Sequence, residues 1–146
     1  MRRIRPPAVK HSLPNRKGRF ADRDFTPSQW SDYFTKMLDV ELDKDNVFRV
    51  YFNQDEDNCS ELPLLLLLHG GGFSALTWSV FVKSIIELCH VRILAIDIRG
   101  HGSTRTSNDE DLSIKTIIND ISSVILKLFE DEPLPQVCSV YFFNFI

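Results

Sequence analysis

Hydrophobic positions change their spacing several times along the chain. After Thr26-Pro27, Trp30, Tyr33, Phe34, Met37 and Leu38 recur at helical intervals. The threonine hydroxyl can cap a free amide there, and proline at the first helical position loses no donor, so a short helix with an apolar packing stripe is predicted. Val40 and Leu42, then Val47, Phe48, Val50 and Phe52, flank Lys44-Asp45-Asn46, which reads as a hairpin at a sheet edge. Asn53 to Glu61 is polar and acidic, as a surface loop is.

Leu64 to Leu68 is a run of leucines bounded by Pro63 and His69-Gly70, too short for a typical helix and suited to a strand covered on both faces. Trp78, Phe81, Ile85 and Leu88 then repeat at intervals of three and four, predicting a helix. Val91 to Ile96 is a second buried strand, stopping at Asp97. After a loop from Arg99 to Asp111, Ser113 can cap another helix, with Ile117, Ile118, Ile121, Val124, Ile125, Leu128 and Phe129 along one face. Pro133 and Pro135 end it, and Val137 to Phe143 has the character of a further strand. A hairpin followed by strand, helix, strand, helix, strand is the grammar of an α/β protein with parallel strands.

Composition sets the scale. The chain has 146 residues, 43% of them hydrophobic, enough for the core of one small domain. Its net charge of −3 argues against general nucleic-acid binding, but the charge is segregated. Residues 1–23 carry eight basic side chains against Asp22 alone, a net +7, which leaves −10 for the rest. With few aliphatic residues to repay the entropy of ordering, residues 1–23 are expected to form a disordered basic tail, and residues 24–146 a partial domain. Three readings of the tail stand side by side: a solubilising leader, a nuclear-import signal, or an arm for an acidic partner. Three widely spaced cysteines without a C-x-x-C suggest neither a disulfide framework nor a zinc site. No apolar run reaches the ~20 residues of a membrane span, and the basic start lacks a secretory core, so a soluble cytoplasmic or nuclear protein is expected.

The chemistry concentrates in His69-Gly70-Gly71-Gly72-Phe73. Glycines directly after a buried strand leave a bare backbone at its carboxyl end, where α/β sheets bind ligands. Such a backbone can aim amide N–H groups at a developing oxyanion, a donor of that kind being worth ~3–4 kcal/mol in the transition state. The alternative is that these glycines only let strand and helix approach closely. The phosphate-loop pattern and G-x-G-x-x-G are both absent. His69 has no adjacent nucleophile and reads as a hydrogen-bonded scaffold rather than a base. Asp97, Arg99 and His101, in Asp97-Ile98-Arg99-Gly100-His101-Gly102-Ser103, read as parts of a structural turn. No cofactor and no metal are expected.

His69-Gly70-Gly71-Gly72-x-Ser74-Ala75-Leu76-x-Trp78, the Asp97 to Gly102 turn with Thr104, and Asp111-Leu112-Ser113 together resemble the α/β-hydrolases. The upstream Arg23-Asp24-Phe25-Thr26-Pro27-x-x-Trp30-Ser31-x-Tyr33-Phe34 narrows the resemblance to the protein phosphatase methylesterase family, over roughly Asp22 to Gln136. It implies a truncated α/β-hydrolase fold, matching the amino-terminal part of that family's domain and diverging from about residue 137. It also implies a serine esterase that removes the methyl ester from the carboxyl-terminal leucine of the type 2A protein phosphatase catalytic subunit, with Gly71, Gly72 and Phe73 on the oxyanion-hole loop.

The family's nucleophile elbow, G-x-S-x-G, needs two glycines four residues apart, and the six glycines here offer no such pair. Ser139 lies in an apolar strand without glycine neighbours and is not read as a substitute. The triad Asp and His follow the nucleophile in that family's order, so no catalytic triad residue is assigned. A truncated form without esterase turnover is therefore expected. The alternative is a non-catalytic fragment that still docks on the phosphatase catalytic subunit. Val137 to Ile146, apolar and uncharged, also predicts poor solubility for the isolated chain.

Overall fold

A computed structural model describes residues 28–53 and 62–141. Five strands form one mixed sheet: β1 (Lys36–Asp43), β2 (Asn46–Asn53), β3 (Leu64–Leu68), β4 (Arg92–Ile96) and β5 (Val137–Tyr141), in the order β1-β2-β4-β3-β5. The hairpin β1–β2 is antiparallel, β2 joins β4 antiparallel, and β3 runs parallel to both β4 and β5. This is the architecture that the alternation of elements implies. The basic tail, the Thr26-Pro27 start and residues 54–61 lie outside the described residues, as do the positions of the last expected strand beyond Tyr141.

Side chains alternate across the strands, so the central strands β2, β3 and β4 feed two cores. Phe48, Val50, Phe52, Leu64, Leu66, Leu94 and Ile96 pack with Val124 and Phe129 of the helix α2 (Ile114–Leu128) and the residue after it. On the opposite face Tyr51, Leu67, Ile93 and Ala95 pack with Phe34, with Ala75 and Trp78 of a 3-10 turn, and with Val82 of α1 (Ser79–Ile85). The pentaleucine is thus shared between two helical layers, which is why it needs no polar alternation. Ser113 caps α2 as expected, its hydroxyl accepting the Thr116 amide.

Several local expectations are corrected. Trp30 to Leu38 is no helix: only Trp30–Asp32 turns, as 3-10, and Met37 and Leu38 belong to β1. A full ladder against β2 outweighs the helical spacing, with Thr35 already bonded to the Phe52 carbonyl. Asn53 is not loop but the buried last residue of β2: its Oδ1 accepts the Thr35 amide at 2.6 Å and its Nδ2 donates to the Tyr33 carbonyl at 2.8 Å. α1 ends at Ile85, so Leu88 falls beyond it and stays 78% exposed; Trp78 and Val82, not Phe81, carry the burial. Ile118 of α2 is exposed as well.

Arg92, at the start of the second buried strand, is completely buried. Its Nε donates to the Leu62 carbonyl at 3.1 Å, and its guanidinium lies 5.2 Å from the Phe129 ring centroid and 3.7 Å from Glu132. The charge is thereby bonded, stacked and countered, the conditions under which a buried arginine is tolerated.

Candidate functional site

Parallel β3 and β4 deliver two glycine-bearing turns to one end of the sheet, the carboxyl end, where such folds place ligands. The turn after β4 is tied down by a buried carboxylate. One Asp97 carboxylate oxygen accepts the Ala75 amide at 2.7 Å, and the other accepts the Ser103 amide at 2.8 Å. Its carbonyl accepts the Thr104 hydroxyl, whose oxygen in turn accepts the Arg49 amide. Gly102, at φ +57°, lies so close beneath that carboxylate that an added Cβ would sit 2.0 Å from it. Gly100, at φ +70°, similarly abuts the Asp109 carbonyl.

Arg99 clamps the same turn to α2. Its Nε and Nη2 meet the two Asp120 oxygens at 2.7 Å, and Nη1 donates to Thr106 and to the Asn108 carbonyl. The Asp120 bond holds the guanidinium in its charged form, above its ordinary pKa. Asp97 and Arg99 are therefore fully engaged in holding structure.

The loop after β3 differs. The Phe73 amide donates to the Gly70 carbonyl at 3.3 Å, and the Gly72 amide donates to His101 Nε2 at 3.1 Å. The Gly71 amide has no hydrogen-bond partner among the described residues, and the space around its Cβ position is open. Of the two, Gly72 alone requires glycine for its backbone, at φ +78°. His69 is buried, with Nδ1 on the Gly70 carbonyl at 2.9 Å and Nε2 accepting the Ile98 amide at 3.1 Å. Burial holds its pKa below the ordinary imidazole value, so the ring is neutral. Both nitrogens are engaged, and His69 has no nitrogen left for base chemistry.

What the arrangement can do is present the unbonded Gly71 N–H at the mouth of a parallel sheet, beside the exposed ring of Phe73. The geometry places Gly71, Gly72, Phe73, His69 and His101 together, with Asp97 beneath and Arg99 turned away toward α2. The 29-residue separation between Gly72 and His101 left no signal for their bond in the sequence. Ser139 sits on β5, paired with Leu66 in the middle of the ladder rather than on a turn. Among the described residues there is no group of three or more metal-ligating side chains, and no helix long and apolar enough to cross a membrane.

Residues 65–136 match the family model described as the alpha/beta hydrolase family. The chain is similar to protein phosphatase methylesterase 1 of Mus musculus, with 47% identity over 82% of this chain and 31% of that protein. The human protein of that name is 46% identical over the same shares. The probable protein phosphatase methylesterase 1 of Caenorhabditis elegans is 39% identical over 93% of this chain and 34% of its own length. The chain thus spans about a third of the length of these relatives. Among solved structures, the thioesterase domain from the curacin biosynthetic pathway superposes with a TM-score of 0.57 at 20% identity, over 73% of this chain and 34% of that one. The haloalkane dehalogenase DatA from Agrobacterium tumefaciens does so with a TM-score of 0.55, also at 20% identity, over 73% and 32%. These two speak for the fold alone.

Proposed function

We propose, from the match of residues 65–136 to the alpha/beta hydrolase family and from relatives named protein phosphatase methylesterase 1, that the chain forms the oxyanion side of a serine carboxylesterase acting on a protein methyl ester. The substrate in this reading is the methylated carboxyl-terminal leucine of the type 2A protein phosphatase catalytic subunit, in the cytoplasm or nucleus. The observation that carries it is the unbonded Gly71 amide at the carboxyl end of β3. In ester cleavage a serine oxygen attacks the carbonyl carbon, and the carbonyl oxygen gathers charge that backbone N–H groups hold. Gly71 supplies one such donor. Gly72 and Phe73, whose amides are already spent, shape the loop around it.

These 146 residues include no G-x-S-x-G, so by themselves they bring neither the attacking oxygen nor the second amide that follows the nucleophile. The chain alone is expected to leave a leucine methyl-ester peptide intact and to take up no fluorophosphonate. A hybrid in which the mouse relative's remaining sequence is joined after Gln136 should hydrolyse the same peptide. An inactive but folded hybrid would count against the esterase reading.

A second reading, a non-catalytic fragment that binds the phosphatase, is favoured by the groove of about 730 Å³ beside the Trp30 turn, lined by Ser31, Tyr33, Asn53, Ile86, Cys89 and His90. It lies at the end of the sheet opposite the glycine loop. Retention of the phosphatase catalytic subunit on the immobilised chain, lost on Tyr33→Ala, supports this reading; no retention removes it.

A further inference from the structure

The geometry points to His101 as the positioning residue of the glycine loop: its ring ties down the Gly72 amide beside the unbonded Gly71 amide, and lets go when the ring is protonated. This deepens the esterase reading and rests on it for the loop's role in catalysis, though the latch itself is a property of this chain.

Two imidazoles stitch the two turns together in opposite directions. His69, at the end of β3, accepts the Ile98 amide from the turn after β4. His101, in that turn, accepts the Gly72 amide from the loop after β3. Each ring places its other nitrogen on a carbonyl of its own segment, His69 on Gly70 at 2.9 Å and His101 on Arg99 at 2.8 Å. A carbonyl can only accept, so each Nδ1 carries the proton and each Nε2 is left as an acceptor. The rings lie 5.2 Å apart, centroid to centroid, at 59°.

The bond to Gly72 therefore exists only while His101 is neutral. A second proton sits on Nε2 and turns an acceptor into a donor facing another donor. The charged and titratable groups around His101 are the neutral His69 ring, the Asp97 carboxylate already accepting the Ala75 and Ser103 amides, and the Arg99 guanidinium turned to Asp120. His101 is half-buried whereas His69 is buried.

Hydrogen exchange of the dilute 146-residue chain, read at single residues by mass spectrometry and corrected for intrinsic rates, tests this. Gly72 protection should fall about fivefold, the size of one net hydrogen bond, between roughly pH 8 and roughly pH 5. In His101→Gln, whose Oε1 keeps an acceptor near the Nε2 position without titrating, protection should stay flat at the high-pH level. In His101→Phe it should be low throughout. Leu66 and Leu94 amides in the central strands report whether the fold survives. Gly72 protection that is pH-independent in the parent chain, or that varies with pH in His101→Gln as it does in the parent, overturns the proposal. Should His101→Phe unfold, the parent and glutamine profiles decide. Inactivity of the hybrid esterase with this pattern intact would leave the latch standing and remove only its catalytic meaning.

Discussion

Two glycine-bearing turns sit side by side at the carboxyl end of the same sheet, yet they differ in what stands over their glycines. In the turn after β4, Asp97 collects amides from Ala75 and Ser103. Glycines are present there because a Cβ would strike the Asp97 carboxylate or the Asp109 carbonyl. In the loop after β3, a Cβ on Gly71 or Gly72 would meet nothing, and the Gly71 amide stays unbonded. Glycine in the first turn answers to close packing. In the second the space beside the backbone is open, and only the positive φ of Gly72 calls for glycine. The difference is sharper than the sequence makes it, where both motifs read as glycines after a buried strand.

Substitutions should make the contrast measurable. The largest loss of stability is expected for Gly102→Ala, which combines positive φ with an impossible approach to a buried carboxylate: about 3–4 kcal/mol, seen as a collapse of the urea midpoint of the dilute chain. Asp97→Ala leaves two amides without acceptors and should cost about 2–3 kcal/mol in the same assay. Gly72→Ala has space but the wrong φ, and about 1 kcal/mol is expected. If Gly72→Ala proved as damaging as Gly102→Ala, the open character assigned to the loop would be wrong.

A smaller effect comes from pH. The folded state holds the His69 proton more weakly than the unfolded chain, whose value is about 6.5, so the unfolded state binds more protons as the pH falls. Its contribution is complete above that value and declines as the pH drops through it toward the lower folded pKa. Urea midpoints at roughly pH 7.5 and roughly pH 5.5 should differ in that direction, and the difference should shrink in His69→Gln. Equal midpoints in the parent chain would contradict the buried neutral ring.

Much of this was readable in the residues. The hairpin, the pentaleucine strand, the Ser113 cap and the order of elements follow from local chemistry, because turn residues, caps and apolar runs act over short range. The Trp30 to Leu38 stripe was misleading because its 3.6 spacing is decided by partners far away: Met37 and Leu38 pair with Tyr51 and Val50 in β2. Arg92 could not be recognised as buried, since what covers it comes from Leu62 and Phe129. At the site, the glycine run marked the place but not which amide is free. That depends on His101 reaching Gly72 from the neighbouring turn, a contact between turns that the sequence does not record.

β5 sharpens the same lesson. It pairs with β3 in full register, yet all five of its residues are exposed, including Val137, Val140 and Tyr141. Its neighbour β3, of similar apolarity, is covered on both faces. An uncovered apolar edge of this kind recruits other strands, so the chain alone should associate as its concentration rises. Sedimentation that stays monomeric at high concentration would contradict this.

The most direct test of the central claim compares Gly71→Pro with Gly71→Ala in the hybrid esterase. Proline deletes the amide N–H, whereas alanine keeps it and meets open space. The account predicts that kcat falls about 10²–10³-fold in Gly71→Pro with KM little changed, and stays within a few-fold of the parent in Gly71→Ala. Equal kcat values in the two variants would show that the Gly71 amide is not the group that holds the oxyanion.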